Sequence, residues 1–189
     1  MRTQLRIVAG SLRGRKLACS VNPRLRPASQ RVREALFSIL GDAVPDRPFI
    51  DLFAGTGAVG LEALSRGARS ATFVERDPRT AQEIERHARQ FGVGDQASVV
   101  RADSYRWVEH WPGDSEPVNV FVGPPFSDFE RRQEWLLLLI ADLQEKLALG
   151  SVLVVQAEEH SLLTKLPAKS AWDTRRYGRN VLLLWVKEP

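Results

Sequence analysis

A glycine-rich segment, Asp51–Gly60, has the composition of a loop that binds a nucleotide-like ligand. Its glycines, Gly55 and Gly57 among them, allow a tight turn and let backbone N–H groups approach a ligand without an intervening Cβ. The segment follows an apolar run and opens a helical pattern. The next strand-like run ends at Glu75, whose carboxylate is placed to accept hydrogen bonds from both hydroxyls of a ribose. This spacing predicts a site for a cofactor that contains a nucleoside.

Acidic residues around this segment favour S-adenosylmethionine over a dinucleotide as the cofactor. Asp51 precedes the first glycine, and a negative charge there suits the ammonium and sulfonium groups of S-adenosylmethionine better than a pyrophosphate. Asp103 and Ser104 follow the third strand-like run, where a side chain can contact an adenine amino group. Phe53 is assigned to the same cofactor site. The alternatives are that Asp51 and Asp103 are ordinary acids at strand ends, or that the chain is an NAD-dependent oxidoreductase.

A second motif, Gly123, Pro124, Pro125 and Phe126, directly follows the fourth strand-like run. Proline fixes the backbone and supplies no N–H donor, so the carbonyls of this loop can remain available as acceptors. Phe126 offers a flat apolar face on which a base splayed out of RNA can stack. Methylation of an exocyclic amine requires this combination, because acceptors on its two hydrogens can hold the nitrogen lone pair toward the methyl group. We therefore predict that these four residues are catalytic; the alternative is a rigid loop that merely ends a strand.

The elements that position these motifs alternate between strand-like and helix-like runs, which is typical of a parallel sheet covered by helices on both faces. The predicted parallel strands are Phe49–Phe53, Ala71–Val74, Ala97–Val100, Val118–Val122 and Ser151–Val155. The predicted helices are a first one capped by Ser29 and ended by Gly41, then Val59–Arg66, Arg79–Phe91, a short turn at Tyr105–Trp111, and Phe129–Leu147. The last two β-rich runs, Trp172–Tyr177 and Asn180–Lys187, predict an antiparallel hairpin.

Basic residues are concentrated at the N-terminus. Residues 1–33 hold nine of the 27 lysines and arginines and no acid, so the rest of the chain carries 18 basic and 23 acidic residues. The runs Leu5–Ala9 and Arg15–Cys19, joined by turn residues, predict a basic β-hairpin with affinity for a polyanion. We expect residues 1–28 to form this hairpin and a linker, and residues 29–189 to form the globular domain that carries the cofactor site. The candidate RNA-binding residues are Arg13, Arg15, Lys16, Arg26 and Arg31.

The composition narrows the class of protein. A length of 189 residues with 43% hydrophobic and 26% charged residues is typical of one globular domain and not of a disordered chain. The one cysteine, Cys19, cannot form an internal disulfide, and no apolar run reaches about 18 residues. We therefore expect a cytoplasmic monomer with neither a membrane partner nor a metal.

The order of these motifs resembles the RsmD family of ribosomal RNA guanine-N2 methyltransferases along nearly the whole chain. The matching segments are Arg6–Gly10, Arg13–Leu17, Arg26-Pro27, Arg31–Phe37, Asp51–Gly67, Phe73–Glu75 and Tyr177–Gly178. The resemblance implies an α/β, Rossmann-like class I S-adenosylmethionine-dependent methyltransferase fold. Such a fold has a mostly parallel seven-stranded sheet with a C-terminal antiparallel hairpin, here with an N-terminal β-hairpin extension. The implied reaction is methyl transfer to N2 of a guanine in small-subunit (16S) ribosomal RNA, naked or within an assembling small ribosomal subunit.

The sequence departs from the family pattern at Gly123. The family's loop normally begins with Asp or Asn, and that side chain is the acceptor expected to hold the target amine. Three explanations remain open: a nearby acid such as Asp128 substitutes, backbone carbonyls and water suffice at a reduced rate, or the protein binds cofactor and RNA without methylating. The alternative functions are therefore a catalytically silent RNA-binding module and a DNA amino-methyltransferase. The short chain, which offers no sizeable target-recognition domain, counts against the latter.

Overall fold

The computed structural model describes residues 2–20, 28–158, 166 and 171–189. The strands are β1 (Arg2–Arg6), β2 (Lys16–Ser20), β3 (Pro48–Leu52), β4 (Ser70–Val74), β5 (Ala97–Val100), β6 (Asn119–Val122), β7 (Val152–Glu158), β8 (Asp173–Tyr177) and β9 (Asn180–Val186). The helices are α1 (Gln30–Leu40), α2 (Ala58–Ser65), α3 (Pro78–Gln90), α4 (Ser104–His110), α5 (Asp128–Arg131) and α6 (Gln133–Lys146). Every predicted strand of the parallel sheet is present, within two residues at each end except the end of β7.

Seven strands form one sheet in the order β5-β4-β3-β6-β7-β9-β8. β3 pairs in parallel with β4 and β6, and β5 and β7 extend the sheet in parallel on either side. β9 runs antiparallel to β7 and β8, and β1 and β2 form a separate antiparallel hairpin. The predicted mostly parallel seven-stranded sheet with its two hairpins is confirmed. The winding reverses between β3 and β6, and ligands of open α/β sheets bind at the carboxyl ends of such strands.

The central strands are apolar because helices cover both faces of the sheet. Residues 49–52 of β3 and all of β6 are buried, the near-continuous apolar pattern of a doubly covered parallel sheet. On one face, Phe49 and Phe73 pack in a cluster with α1, α2 and α3. On the other, Leu52 and Val120 pack with α4, α5 and α6. The two layers hold the strand ends in fixed positions relative to one another.

The first strand ends earlier than predicted. β1 stops at Arg6, so the prediction of a strand through Ala9 is wrong at its end. The backbone N–H groups of Val8 and Ala9 donate instead to the buried carboxylate of Glu62 on α2, at 2.9 and 3.0 Å. The apolar side chains of the hairpin region join the cluster around α1, α2 and α3; they are Ile7, Leu12, Leu17 and Cys19. The hairpin is therefore fixed to the helix that follows the glycine-rich segment.

The predicted helix Phe129–Leu147 is wrong as a single element. It consists of α5 and α6, separated by Arg132, whose φ of −131° and ψ of 29° are not helical. The guanidinium of Arg132 lies 3.5 Å from the carboxylate of Asp103 and 4.7 Å from the centre of the Tyr105 ring. The break thus directs the Arg132 guanidinium toward the start of α4. The apolar periodicity of the sequence could not predict this contact.

Three further properties hold for the described part of the chain. No helix there is long and apolar enough to cross a membrane. No group of three or more histidine, cysteine, aspartate or glutamate side chains there could hold a metal ion. Cys19 is buried, and this burial raises the pKa of its thiol to about 11, so the thiol is protonated at neutral pH.

Candidate functional site

A cleft opens at the carboxyl ends of β3, β4 and β6, where the winding of the sheet reverses. Both motifs singled out from the sequence lie in its walls. The predicted residues that line it are Asp51, Phe53, Gly55, Glu75, Asp103, Ser104, Gly123, Pro124, Pro125 and Phe126. Of the residues predicted for the cofactor and catalytic sites, Gly57 is the one that the walls do not include. The fold thus brings together residues from four separate loops.

The loop between β3 and α2, residues 53–57, is called the glycine loop below. Its backbone is left-handed at Phe53 (φ 59°), Gly55 (φ 53°) and Gly57 (φ 72°). Glycine adopts this region at no steric cost, whereas a phenylalanine there is strained. A Cβ at Gly57 would lie 3.0 Å from the side chain of Ile84, so this glycine serves the packing of the loop on α3.

Asp51 is fully buried at the end of β3, beneath the glycine loop. Its Oδ2 accepts a hydrogen bond from the backbone N–H of Gly60 at 2.9 Å. Burial raises the pKa of Asp51 to about 8; the bond from Gly60 opposes this rise, and the charge of Glu75 adds to it. A cation in the cleft would stabilise the ionised form of this carboxyl group.

Glu75 is buried at the end of β4, and its carboxylate holds two stretches of backbone. Oε2 accepts from the N–H of Gly55 and Oε1 from the N–H of Asp77, both at 2.8 Å. This role was not predicted, because the sequence does not show that the side chain reaches back to the glycine loop. A carboxylate has about four acceptor positions, so these two bonds leave room for two hydroxyl groups.

Asp103 and Ser104 lie at the start of α4 and connect neighbouring loops. Asp103 Oδ1 accepts from the N–H of Tyr105 at 3.1 Å and so caps the helix, while Oδ2 faces Arg132. The N–H of Phe53 donates to Ser104 Oγ at 3.0 Å. These bonds hold the loop after β5 against the glycine loop; contact of either side chain with an adenine stays a prediction.

Gly123 lies directly after β6, and its N–H donates to the carbonyl of Leu52 at 3.2 Å. Its φ lies outside the left-handed region, so the backbone conformation does not require glycine. A Cβ at this position would lie 2.8 Å from Cε1 of the buried Phe121 ring. A larger residue therefore fits here only if the buried Phe121 ring shifts.

The loop after Gly123 has fewer free carbonyls than predicted. The carbonyl of Pro125 accepts from the N–H of Asp128 at 2.8 Å, and that of Phe126 accepts from Phe129 at 3.2 Å. Among the described residues, none donates to the carbonyl of Pro124. The half-buried ring of Phe126 forms part of the cleft wall, as stacking of a base requires.

Arg26, one of the candidate RNA-binding residues, lies outside the described residues, and the other four lie outside the cleft walls. The four others have exposed side chains: Arg13, Arg15, Lys16 and Arg31. Arg33 also belongs to the basic N-terminal region but is buried, donating to the carbonyls of Arg6 at 2.7 Å and Ala28 at 2.8 Å. Ala28 lines the cleft, so the amino end of α1 lies at the cleft edge.

Asp128, named from the sequence as a possible acceptor, belongs to a polar group beside the cleft whose other members, Tyr105 and Arg132, were not predicted. The hydroxyl of Tyr105 donates to Asp128 Oδ2 at 2.8 Å, and the guanidinium of Arg132 covers the Tyr105 ring. Asp128 lines the same cleft as Gly123. The position of Asp128 close behind the Pro-Pro pair was a signal, but no pattern in the sequence connects it with a tyrosine on α4.

Comparisons with known proteins agree with this geometry. A family model described as Conserved hypothetical protein 95 matches residues 5–186. The ribosomal RNA small subunit methyltransferase D of Escherichia coli K12 is 37% identical over 176 residues, which cover 92% of this chain and 83% of that protein.

Solved structures match over the whole chain. A putative methyltransferase, yhhF from Escherichia coli, has a TM-score of 0.82 and 33% identity, with 99% of both chains covered. A Thermus thermophilus 16S rRNA N2 G1207 methyltransferase in complex with AdoMet and guanosine has a TM-score of 0.72 at 18% identity, with all of this chain and 50% of that chain covered. At that identity the match shows the fold alone, the class I methyltransferase fold that the motifs predicted. The chain therefore belongs to the Conserved hypothetical protein 95 family, the family of ribosomal RNA small subunit methyltransferase D.

Proposed function

We propose that this protein transfers a methyl group from S-adenosylmethionine to N2 of a guanine in small-subunit ribosomal RNA. The observation that carries the proposal is one cleft whose walls contain both Asp51 and Glu75 and the loop Gly123–Phe126. The 37% identical relative, named as a small-subunit rRNA methyltransferase, supports the substrate class. The position N2 follows the resemblance of the motifs to the guanine-N2 family.

The polar groups of the cleft fit S-adenosylmethionine. Asp51, whose pKa burial raises to about 8, faces a site where a sulfonium or ammonium group would stabilise its ionised form. Glu75 retains acceptor positions for the ribose hydroxyls, and Asp103 lies where an adenine amino group can donate to it. When bound, the cofactor supplies an electrophilic methyl carbon: the new C–N bond forms as the C–S bond breaks, the electron pair stays on sulfur, and one amine proton is released.

The chain's own residues position the base. The ring of Phe126 provides a stacking face, and the carbonyl of Pro124 is free to accept one hydrogen of the exocyclic amine. Pro124 is buried and the loop is fixed by its own hydrogen bonds, so this acceptor is ordered before the base arrives. Such preorganisation lowers the barrier because little reorientation remains for the reaction itself.

The basic hairpin supplies the attraction for the RNA backbone. Arg13, Arg15 and Lys16 are exposed on the hairpin, and Arg31 is exposed on α1, three residues after Ala28 at the cleft edge. Arg26 belongs to the same group by sequence. Exposed arginines and lysines bind phosphates without regard to sequence and so position the strand, while the cleft selects the base. The RNA is small-subunit ribosomal RNA, either naked or within an assembling particle.

The test is methyl transfer from radiolabelled S-adenosylmethionine to unmodified small-subunit ribosomal RNA, naked and assembled with ribosomal proteins, with duplex DNA as the comparison. Mass spectrometry of the nucleosides should identify N2-methylguanosine in the RNA and no label in the DNA. Label on adenosine, or in DNA alone, would contradict the proposal.

A second candidate function, RNA binding without turnover, is favoured by one observation. Gly123 supplies no side-chain acceptor, and the carbonyls of Pro125 and Phe126 already accept hydrogen bonds within the loop. The same assay separates the two functions. Retention of S-adenosylmethionine and RNA with no transferred label supports the silent module.

A further inference from the structure

We infer that the carboxylate of Asp128 is the side-chain acceptor that holds the target amine in this chain, and that Tyr105 positions it. The inference rests on the proposed methyl transfer and adds to it one catalytic residue and one positioning residue. Neither role belongs to the Gly123–Phe126 motif by which the loop was recognised.

The missing side chain at Gly123 creates the need for this acceptor. The lone pair of an exocyclic amine is delocalised into the base, so the nitrogen presents it to the methyl carbon only when both amine hydrogens are held. The carbonyl of Pro124 is available for one of them. No Cβ is present at Gly123 to carry a second acceptor, which must come from another part of the wall.

Asp128 lies where that second acceptor is required. It lines the same cleft as Gly123 and Phe126, five residues after the glycine. Its N–H donates to the carbonyl of Pro125 at 2.8 Å, so its backbone belongs to the folded loop that carries the stacking ring. Because the carboxylate is attached to this loop, it moves with the ring that binds the base.

The other acids of the wall are committed to different contacts. Asp51 and Glu75 accept from the backbone of Gly60 and of the glycine loop. Asp103 caps α4 and faces Arg132. Asp128 is the acid in the described wall that belongs to the base-binding loop, which is why we assign the amine to it.

Tyr105 fixes the orientation of this carboxylate. Its hydroxyl donates to Asp128 Oδ2 at 2.8 Å, while Oδ1 lies 3.4 Å from the exposed hydroxyl of Ser127. Burial, together with the hydrogen bond to Asp128, raises the pKa of Tyr105 far above its usual range, so the hydroxyl stays protonated and donates at neutral pH. Tyr105 thereby holds Oδ2 through the shorter bond, and Oδ1 accepts the longer, solvent-exposed bond from Ser127 and keeps a further acceptor position.

The Tyr105 ring is itself held from two directions. The ring of the strained Phe53 meets it edge-on, with the ring centres 5.2 Å apart, and the guanidinium of Arg132 lies 4.7 Å from its centre. Tyr105 thus connects the glycine loop with the base-binding loop. A buried ring in two contacts can hold a carboxylate without the entropy cost of ordering an exposed side chain.

The carboxylate also suits the charge that develops during transfer. As the amine nitrogen gains its fourth bond it becomes positive, and a negative acceptor on one of its hydrogens stabilises that charge more than a neutral carbonyl does. Asp128 therefore lowers the barrier to methyl transfer as well as orienting the base.

The test compares single-turnover methylation of unmodified small-subunit ribosomal RNA by the wild type and by Asp128→Ala, Asp128→Asn and Tyr105→Phe. We expect Asp128→Ala to lower the rate by about 10² to 10³, as loss of one preorganised polar contact does. Asp128→Asn retains an acceptor and should lose less, and Tyr105→Phe, which keeps the ring, should lose roughly tenfold. Glu130→Gln removes an exposed carboxylate from the same helix and is the matched control that keeps the wild-type rate.

A rescue experiment separates an acceptor from a structural residue. Gly123→Asp restores the family's acceptor and should raise the rate of Asp128→Ala by at least about tenfold. Gly123→Ala in the same background introduces the same Cβ contact with Phe121 but no acceptor, and should restore nothing. Asp128→Ala, Asp128→Asn and Tyr105→Phe should retain the wild-type affinity for S-adenosylmethionine. The two Gly123 variants displace Phe121, which lines the cleft, in the same way, so they should bind the cofactor as tightly as each other.

The outcomes distinguish the inference from the proposed function. If the wild type is active and Asp128→Ala and Tyr105→Phe methylate at the wild-type rate, the inference is overturned and the proposed methyl transfer is not. A loss of rate that Gly123→Asp does not restore, or that accompanies lost cofactor affinity, also overturns it, because Asp128 is then structural. A wild type that binds RNA and S-adenosylmethionine without transferring a methyl group overturns the proposed function, and the inference with it.

Discussion

The carboxylate of Glu62 accepts a hydrogen bond from the backbone N–H of Val8 at 2.9 Å and so fixes the basic hairpin to α2. Its other oxygen accepts from Ala9 at 3.0 Å and from Arg66 at 3.1 Å. Because α2 begins at the glycine loop, the hairpin and the cofactor cleft are attached to the same short helix. A displacement of this helix would change the position of the basic side chains relative to the cleft.

We expect Glu62→Gln to lower the free energy of unfolding by about 1–3 kcal/mol, because the amide has one acceptor oxygen in place of two and leaves a partly buried N–H of Val8 or Ala9 without an acceptor. Urea denaturation measures the change. Glu145→Gln, an exposed acid on α6, is the control and should stay within about 0.5 kcal/mol of the wild type. Equal unfolding free energies for Glu62→Gln and the control would contradict the assigned role of the buried carboxylate.

Asp51 should make the stability of the ligand-free protein depend on pH. Its pKa is about 8 in the folded protein against 3.8 ordinarily, so the folded chain holds a proton that the unfolded chain loses. The stabilisation by this proton is complete below about pH 4 and is lost as the pH rises to about 8, at up to about 1.4 kcal/mol per pH unit. Urea denaturation at several pH values measures the slope.

Asp51→Asn is the matched control for this dependence, because an amide oxygen can still accept from Gly60 and does not titrate. The difference in unfolding free energy between the wild type and this variant should therefore change steadily between about pH 4 and 8, with the wild type losing stability relative to the variant. A constant difference over this range would mean that Asp51 ionises at its ordinary pKa.

Glu75→Ala should lose most of the affinity for S-adenosylmethionine. Two charge-assisted hydrogen bonds to the ribose, at roughly 1.5 to 3 kcal/mol each, would vanish, which corresponds to a weakening of at least about 100-fold. Calorimetric titration measures the affinity. Glu109→Ala, an exposed acid on α4, is the control. An unchanged affinity in Glu75→Ala would remove this residue from the cofactor site and leave only its bonds to Gly55 and Asp77.

The sequence was sufficient to predict the fold because its signals are local. Apolar runs separated by helical patterns identified the strands, and Ser29 and Gly41 marked the ends of α1 as observed. The acceptor role of Glu62 and the burial of Arg33 could not be predicted, since each depends on backbone from a distant segment. A charged residue in a helical pattern is expected to be exposed to solvent unless the group that it contacts is known.

Part of the candidate site could be predicted from the sequence, again because the signals for it are local. Asp51 and Glu75 lie at strand ends, and strand ends of a parallel sheet meet at one edge, so their common cleft followed from topology. Tyr105 was assigned only to a short helix, because its partner Asp128 lies beyond the next strand. The left-handed backbone of Phe53 could not be predicted, because phenylalanine is not a residue type that favours this conformation.

The hairpin should bind RNA phosphates through its exposed side chains. Arg13→Ala with Arg15→Ala should weaken binding across RNA sequences and lower the slope of log affinity against log salt by about 0.7 to 0.9 per lost contact. Fluorescence anisotropy at several salt concentrations measures both. Arg69→Ala, an exposed base beside the amino end of β4 that pairs with Glu116, is the control. If the double variant behaves like this control, the hairpin has only a structural role.

An acceptor added at Gly123 should have little effect while Asp128 is present. If Asp128 already holds the amine, a second acceptor at position 123 has no hydrogen left to accept, because the carbonyl of Pro124 is available for the other one. We therefore expect the single-turnover rate of Gly123→Asn to stay within roughly threefold of the rate of Gly123→Ala, which moves the Phe121 ring in the same way but adds no acceptor.

A rate for Gly123→Asn that exceeds the rate of the alanine variant by about 10² to 10³ would instead show that the native chain works without a second acceptor, with backbone carbonyls and water alone. Both variants displace the Phe121 ring, which lines the cleft, in the same way, so they should bind S-adenosylmethionine with the same affinity as each other. The comparison thus separates a chain that has moved its acceptor from one that has lost it.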